Sequence, residues 1–118
     1  ISAVSGIRHL GISDVTYGTS KAAMNHMTRI TAAKFARDKV RVNAIVPGLL
    51  RTPFVEASAA QLASEAERNR FWASRDARVP IGHMGYAWDV AHAAVFLASE
   101  ESRYVTGIEL VVDGGLTC

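Results

Sequence analysis

Short β-branched segments alternate with longer helical segments, and this alternation constrains the fold more than any other feature of the sequence. Residues 40–46 and 107–115 are rich in Val and Ile and lead into glycine-containing turns, so each predicts a strand. Helical patterns occupy residues 17–37, 54–71 and 87–99. Strands that alternate with helices are joined by right-handed crossovers. The sequence therefore predicts an α/β fold in which a parallel sheet carries helices on both faces.

The first six residues predict the end of a strand that runs into a turn at Gly6. Domains rarely begin inside an apolar strand, and the first residue is Ile rather than Met. We therefore expect residues 1–118 to form the C-terminal portion of one longer domain. Residues 7–16 contain turn-forming residues and predict the loop that leads into the long helix.

Composition and charge argue against several classes of function. The chain is 49% hydrophobic and 20% charged, which is typical of a globular domain. Its net charge of +2 is too small, and its basic residues are too dispersed, to predict nucleic-acid binding. No apolar stretch is long enough to span a membrane and no targeting signal is evident, so we expect a cytoplasmic protein with no membrane partner.

The single cysteine, Cys118, cannot form an internal disulfide. The histidines are scattered and predict no metal site: His9, His26, His83 and His92.

Tyr17 and Lys21 are the candidate catalytic pair. They lie four residues apart at the start of the long helix, so they share one helix face. A free phenol is too weak an acid to exchange protons readily at neutral pH, and an ammonium beside it favours the phenolate. Such a pair can give a proton to a carbonyl oxygen, or take one from an alcohol, while hydride moves. The same spacing also suits an exposed surface pair with no function.

The residues around this pair resemble the short-chain dehydrogenase/reductase family. Residues 17–23 are similar to its YxxSK stretch. Two more signatures follow in the family's order, residues 40–43 with Pro47, Gly48 and Thr52, and residues 104–107 with 112–115. The resemblance covers essentially the whole chain. It implies that the chain is the C-terminal part of a Rossmann-type doubly wound parallel sheet with helices on both faces.

The resemblance also implies a function, an NAD(P)-dependent oxidoreductase that interconverts an alcohol and a ketone. It implies that Tyr17 is the general acid/base and that Lys21 assists it and holds the ribose of NAD or NADP. Its other cofactor contacts would lie after the strand at 40–46, where open parallel sheets bind ligands. These contacts would come from Pro47, Gly48, Leu50 and Thr52.

The family's serine is replaced here by Ala3. Alternation along the predicted strand puts Ser5 on the face of Ala3 and Ser2 on the opposite face. We therefore take Ser5 as the candidate donor to the substrate oxygen, with Ser2, Ser13 or no serine as alternatives. A missing donor would slow the reaction, because it would leave negative charge on that oxygen unstabilised.

Two further segments follow from the resemblance. Residues 53–80 would form a flap over the substrate, and Lys39 stands where the family usually has a helix-ending glycine. A left-handed backbone at Lys39 would cost about 1 kcal/mol. Ordinary packing of the flap helices would explain its large apolar side chains as well as contact with the substrate does. The candidate lining residues are Phe54, Val55, Phe71 and Trp72.

No GxGxxG motif is present, so we expect the half that binds the cofactor phosphates to lie upstream of Ile1. The isolated chain should then bind cofactor poorly and be inactive. Two other functions stay open: a non-catalytic cofactor-sensing or scaffolding subunit, which Ala3 favours, and an enzyme of the same fold that performs epimerisation or dehydration. The resemblance also implies a homotetramer or dimer through the long helix and the last strand, and the broad apolar surface of residues 22–36 agrees with this.

Overall fold

The computed structural model describes residues 1–11 and 14–118. Ser13, one of the alternatives to Ser5, lies outside these residues. Three 3₁₀ turns, Val4–Gly6, Ala36–Asp38 and Glu100–Ser102, accompany the helices and strands. In chain order these are α1 (Val15–Phe35), β1 (Ala44–Pro47), β2 (Leu50–Arg51), α2 (Pro53–Ala60), α3 (Glu65–Asp76), β3 (Gly85–Tyr86), α4 (Ala87–Ala98) and β4 (Glu109–Val112).

All strand pairs of the described residues are parallel. β1 pairs with β4 from Ala44↔Glu109 to Pro47↔Val112, and β2 pairs with β3. The first three residues of β1 are all buried. Because neighbouring strand residues point to opposite faces, β1 is covered on both sides, and α1 and α4 both contact it. The predicted α/β fold is confirmed.

The strand predicted at residues 40–46 begins only at Ala44, because the residues before it bind the segment that leads into β4. The Arg41 guanidinium donates hydrogen bonds to the carbonyls of Leu97 (2.9 Å), Ser99 (3.3 Å) and Val105 (3.2 Å). The side-chain amide of Asn43 donates to Val105 O (2.9 Å). These two polar side chains hold the returning segment so that β4 lies beside β1.

The strand predicted over residues 1–6 is wrong, since none of these residues belongs to a strand. Ser2 N donates to Ile45 O (2.8 Å), so the chain starts alongside β1. It then closes into the turn Val4–Gly6, in which Gly6 N donates to Ala3 O (2.9 Å). Residues in such a turn do not alternate between two faces, so the argument that placed Ser5 on the face of Ala3 does not apply.

The flap contains two helices where the sequence pattern predicted one. α3 begins at a capping box, in which Glu67 N donates to Ser64 Oγ (3.2 Å) and Ser64 N donates to Glu67 Oε2 (3.0 Å). The motif Ser-x-x-Glu was present in the sequence and would have located this boundary.

The hydrophobic core under the flap is small: Leu49, Val79 and Met84 are buried together, with Trp72 and Leu116 packed against them.

Lys39 has φ +60° at the end of the turn after α1, which is the left-handed conformation considered for it. No helix of the described residues is long and apolar enough to cross a membrane.

Candidate active site

Asp14 determines where α1 begins, and so places Tyr17 in its first turn. The Asp14 carboxylate accepts hydrogen bonds from Thr16 N (2.6 Å) and Thr16 Oγ1 (2.5 Å). This is an N-cap, which satisfies a backbone amide that the helix itself leaves unpaired. The hydrogen bonds from the Thr16 hydroxyl and amide, together with one from the Tyr17 amide, lower the pKa of Asp14.

Tyr17 and Lys21 lie on one surface of α1. The Lys21 ammonium is 5.3 Å from the centre of the Tyr17 ring, and it donates to Ile1 O (3.4 Å). The Tyr17 side chain is accessible, with 47% of the residue exposed. Within the residues that the structure describes, its hydroxyl makes no hydrogen bond. A bound molecule can therefore reach both groups of the pair from one side.

Ser2 connects this pair to the sheet. Its backbone amide binds Ile45 O of β1 (2.8 Å), and its hydroxyl donates to Lys21 O (3.2 Å). Ser2 is buried, so its hydroxyl acts in packing α1 against β1. The sequence suggests Ser2 only as an alternative donor to the substrate oxygen, and no local pattern predicts its bond to Lys21 O.

Gly6 allows the turn Val4–Gly6 to touch α1. A Cβ atom on Gly6 would lie 2.6 Å from Lys21 C and 2.7 Å from Ala22 N, so no larger residue fits without movement. The same turn brings Ser5 O to 3.2 Å from where a Cβ on Gly18 would lie. The half-buried Ser5 thus lies near the residue that follows Tyr17, although for a different reason than strand alternation.

The segment after β1 contains the predicted cofactor residues. Gly48 N donates to Val112 O (2.9 Å), and a Cβ on Gly48 would lie 2.5 Å from Asp113 Cβ. Because Asp113, the residue after β4, comes this close, position 48 needs a glycine whether or not a ligand binds there. Thr52 Oγ1 accepts from Val55 N (3.4 Å) and caps α2, and the half-buried Leu50 lines a cavity of about 160 Å³.

The flap side chains divide into two groups. Trp72 packs on the core and meets Phe71 edge-on, with ring centres 5.0 Å apart. The Arg51 guanidinium stacks 4.5 Å from the Trp72 ring and also binds Glu56, so it fixes α3 against α2. Phe54, in contrast, is 82% exposed and has room to contact a molecule held at this edge of the sheet.

No pattern in the sequence predicted the contact between the flap and the loop before α1. Arg78 Nη2 donates to Leu10 O (2.5 Å) across 68 residues of chain.

Among the described residues, no group of three His, Cys, Asp or Glu side chains is arranged to hold a metal ion.

Comparison with known proteins places this geometry in a family. Residues 1–117 match the family model described as Enoyl-(Acyl carrier protein) reductase. A tropinone reductase homolog of Arabidopsis thaliana is 36% identical over 119 aligned positions, which cover 99% of this chain and 42% of the relative. The chain spans less than half the length of the curated relatives it matches.

Solved structures agree with this match. A protein from Burkholderia xenovorans, named for the short-chain dehydrogenase/reductases, is 45% identical with a TM-score of 0.89, over 98% of this chain and 43% of that one. A protein from Agrobacterium tumefaciens, named for 2-deoxy-d-gluconate 3-dehydrogenase and solved with bound NADP, is 35% identical with a TM-score of 0.81. That alignment covers 98% of this chain and 44% of the relative.

Proposed function

The chain belongs to the short-chain dehydrogenase/reductase family, and on that premise we propose that its protein is an NAD(P)-dependent oxidoreductase that interconverts an alcohol and a ketone. The observation that carries the proposal is the Lys21 ammonium 5.3 Å from the ring of the accessible Tyr17. The relative from Agrobacterium tumefaciens that was solved with NADP supports a nicotinamide cofactor.

Tyr17 is the proposed general acid/base. In ketone reduction its hydroxyl gives a proton to the substrate oxygen, and in alcohol oxidation it takes that proton back. While the Tyr17 hydroxyl is without its proton, its oxygen carries a negative charge, and the Lys21 ammonium stabilises that charge. The N-terminal end of α1 adds to this stabilisation. The nicotinamide ring, when bound, supplies or accepts the hydride.

The residues around the pair fit such a cofactor in their chemistry. The Lys21 ammonium and the Tyr17 hydroxyl can bind ribose hydroxyl groups. Pro47 and Leu50 offer an apolar edge at the carboxyl end of β1, where parallel sheets bind ligands. Thr52 can contribute its hydroxyl, which accepts one bond from Val55 N and still has a proton to donate. Gly48 would contribute through its backbone, because Asp113 fills the space that a side chain at this position would need.

Ser5 is the proposed donor to the substrate oxygen. Its turn packs on α1 at the residue after Tyr17, which supports this role over that of Ser2, whose hydroxyl is buried and bound to Lys21 O. Ser5→Ala should lower kcat by about a hundredfold to a thousandfold, as for other donors that stabilise an oxyanion. A matched Ser2→Ala variant should reduce stability more than kcat, and equal kcat values for Ser5→Ala and wild type would remove Ser5 from the site.

Replacement of the phenol hydroxyl tests the central proposal. The experiment uses the full-length protein, meaning a chain that carries this sequence at the length of its curated relatives. Tyr17→Phe should lower kcat by about 10²–10⁴-fold. It should weaken cofactor binding, measured by NADPH fluorescence, far less, because it removes one hydroxyl contact to the ribose and leaves that of Lys21. The control is Tyr104→Phe, since Tyr104 is 100% exposed and lies before β4.

The same assay separates the proposal from its alternative. Wild-type activity that survives Tyr17→Phe contradicts the assignment of Tyr17. Cofactor binding without activity toward any alcohol or ketone, in wild type and variant alike, favours the cofactor-sensing or scaffolding subunit. Epimerisation or dehydration would appear as turnover without net change in NADPH absorbance.

The 118-residue chain itself provides a second test. Because it has no GxGxxG motif, we propose that it binds NADH and NADPH weakly and that upstream residues complete the cofactor site. Tight, saturable binding in a fluorescence titration of this chain would refute that division of roles.

We also propose a cytoplasmic homotetramer or dimer with contacts through α1 and β4. Met27 and Ile30 on α1 are 60% and 54% exposed, and Val111 on β4 is partly exposed. Met27 and Ile30 are three residues apart and so share a face of α1, and exposed apolar side chains of this kind favour association. Sedimentation equilibrium of the full-length protein and of Ile30→Glu measures the assembly, and a monomeric wild type would contradict this part of the proposal.

A further inference from the structure

A small cavity lies at the carboxyl ends of β1 and β4. It is bounded by the segment after β1, the last residue of β4 and the segment that leads into α4. Its volume is about 160 Å³, and its apolar walls come from Leu49, Leu50, Ile81 and Val112. A cavity of about 150 Å³ with such walls accommodates benzene, so this one has room for a single six-membered ring.

Two glycines allow the walls of this cavity to pack closely on the backbone. A Cβ on Gly85 would lie 2.9 Å from Leu50 Cδ2, and a Cβ on Gly114 would lie 2.8 Å from Ile81 Cγ2. Leu50 and Ile81 therefore occupy space that a glycine leaves open. The packing of the fold itself forms the cavity, which reduces the conformational entropy that a ligand must offset when it binds.

The two carboxylates that line the cavity are engaged by the fold. Asp89 Oδ2 accepts a hydrogen bond from Tyr86 N (2.6 Å) at the start of α4. Asp113 Oδ1 accepts from Gly115 N (2.8 Å), and its Oδ2 accepts from Thr117 N (2.8 Å) and Thr117 Oγ1 (2.7 Å). Neither carboxylate needs a bound cation to satisfy it, and their charges disfavour an anionic ligand.

His83 gives the cavity lining a hydrogen-bond acceptor. Its Nδ1 lies 2.9 Å from Met84 O, and because a carbonyl oxygen only accepts, Nδ1 carries the proton and donates it. In the neutral ring Nε2 is then an acceptor. Within residues 1–11 and 14–118, Nε2 makes no hydrogen bond. The side chains of the lining therefore offer acceptors and no free donor, since the single N–H of His83 is already bound.

We propose that this cavity binds a small uncharged ring compound that carries a hydroxyl group. The ring packs against the apolar walls, where it gains by leaving water, and the hydroxyl donates to His83 Nε2. The ligand thus supplies the donor that the lining side chains lack. This site goes beyond the proposed function, because neither Tyr17 nor Lys21 lines the cavity.

Phenol and fluorobenzene are the probes, because they are similar in size and only phenol has a proton to donate. Line broadening in ¹⁹F NMR reports fluorobenzene binding to the full-length protein, and displacement of fluorobenzene gives the Kd of phenol. Wild type should bind phenol about fivefold to tenfold more tightly than fluorobenzene, which is the effect of one hydrogen bond. His83→Phe should remove this preference and change the Kd of fluorobenzene by less than about twofold. The matched control is His92→Phe, since His92 is exposed on α4 and does not line the cavity.

Ile81→Trp tests whether both probes bind in this cavity. Ile81 is 65% exposed, so a larger side chain there can fill the cavity without displacing a buried residue. The variant should lose binding of phenol and of fluorobenzene. The matched control is Val95→Trp, since Val95 is 68% exposed on α4 and does not line the cavity. Circular dichroism of both variants checks that they are folded.

The same titrations keep this site separate from the proposed function. Phenol has no hydrogen on the carbon that bears its hydroxyl, so it cannot be oxidised by loss of hydride from that carbon. Its binding should be the same in wild type and in Tyr17→Phe, and NADPH should not displace fluorobenzene. If the protein converts no alcohol or ketone but the variants at positions 81 and 83 behave as expected, the proposed function fails and this site stands.

Four results would overturn the inference. The first is equal Kd values of phenol and fluorobenzene in wild type, which would remove His83 as the acceptor. The second is unchanged binding in Ile81→Trp, which would place the probes elsewhere. The third is displacement of fluorobenzene by NADPH, which would assign the cavity to the cofactor. The fourth is tighter binding of benzylamine than of phenol, which would show that the carboxylates select a cation.

Discussion

Gly6→Ala tests whether the contact between the turn Val4–Gly6 and α1 positions the catalytic pair. The added Cβ would lie 2.6 Å from Lys21 C, 2.7 Å from Ala22 N and 2.9 Å from Lys21 Cβ. Carbon atoms attract at about 3.5–4.0 Å, so the turn and the helix must separate by roughly 0.9 Å. The atoms in the way are mostly helix backbone, which cannot rotate aside as a flexible side chain can.

The cost can be estimated because other contributions are small. Gly6 lies outside the left-handed region, so alanine adopts its backbone without strain. Overpacking of this kind costs about 1–3 kcal/mol. In the full-length protein, of which this chain spans less than half, each kcal/mol corresponds to about 2 °C in Tm, so Gly6→Ala should lower Tm by about 2–6 °C.

Thermal unfolding followed by circular dichroism measures this change in the full-length protein. The matched control is Gly18→Ala, where the Cβ meets only Ser5 O at 3.2 Å and alanine gains helix propensity of up to about 1 kcal/mol. Its net effect on stability should therefore be within about 1 kcal/mol of zero. Because misplacement by about 1 Å can cost a hundredfold in rate, kcat of Gly6→Ala should also fall. Unchanged Tm and kcat in Gly6→Ala would refute the idea that this contact positions Lys21.

Three further perturbations follow from single contacts. Ser64→Ala removes the capping box of α3 and should destabilise the flap by about 1 kcal/mol, measured as faster hydrogen exchange of the first-turn amides of that helix. The hydrogen bonds from Thr16 lower the pKa of Asp14 below its ordinary value of 3.8, so its carboxylate stabilises the fold above that pH and the stabilisation is lost as pH falls through the lower folded pKa. Urea midpoints of wild type and Asp14→Asn should differ near neutral pH and converge in acid, and a constant difference would contradict this reasoning. Arg41→Met leaves the carbonyls of the segment before β4 without their donor and should cost about 1–3 kcal/mol in urea unfolding, whereas the exposed Arg37→Met should cost almost nothing.

Local patterns predicted the long elements well. Periodicity predicted a helix over residues 87–99 and the structure has α4 at Ala87–Ala98, since apolar spacing reports directly on which residues face inward. The predicted start of the long helix at residue 17 was late by two positions, because Asp14 caps it before the apolar pattern begins. The two-residue strands β2 and β3 were missed, since two residues cannot show a period.

Predictions for the site residues depended on how local their geometry is. The shared face of Tyr17 and Lys21 follows from helix geometry alone, and the structure places the two groups together. The prediction for Ser5 used strand alternation where the chain forms a turn, so the reasoning failed even though Ser5 lies near α1. The resemblance implied a cofactor contact for Gly48, which stays a prediction, and the structure adds a second reason for glycine there, since a Cβ would lie 2.5 Å from Asp113 Cβ.

The sequence by itself determined the order of α1, β1, α4 and β4 and the one-turn spacing of Tyr17 and Lys21, because both depend on residues that are close together in the chain. Only the tertiary structure decided that Ser2 ties Lys21 to β1, that Gly6 sets the distance between turn and helix, and that Arg78 reaches Leu10. These contacts join residues from 15 to 68 positions apart, since Gly6 meets Lys21 and Arg78 meets Leu10. Their geometry arises from the packing of whole elements, which no local propensity encodes.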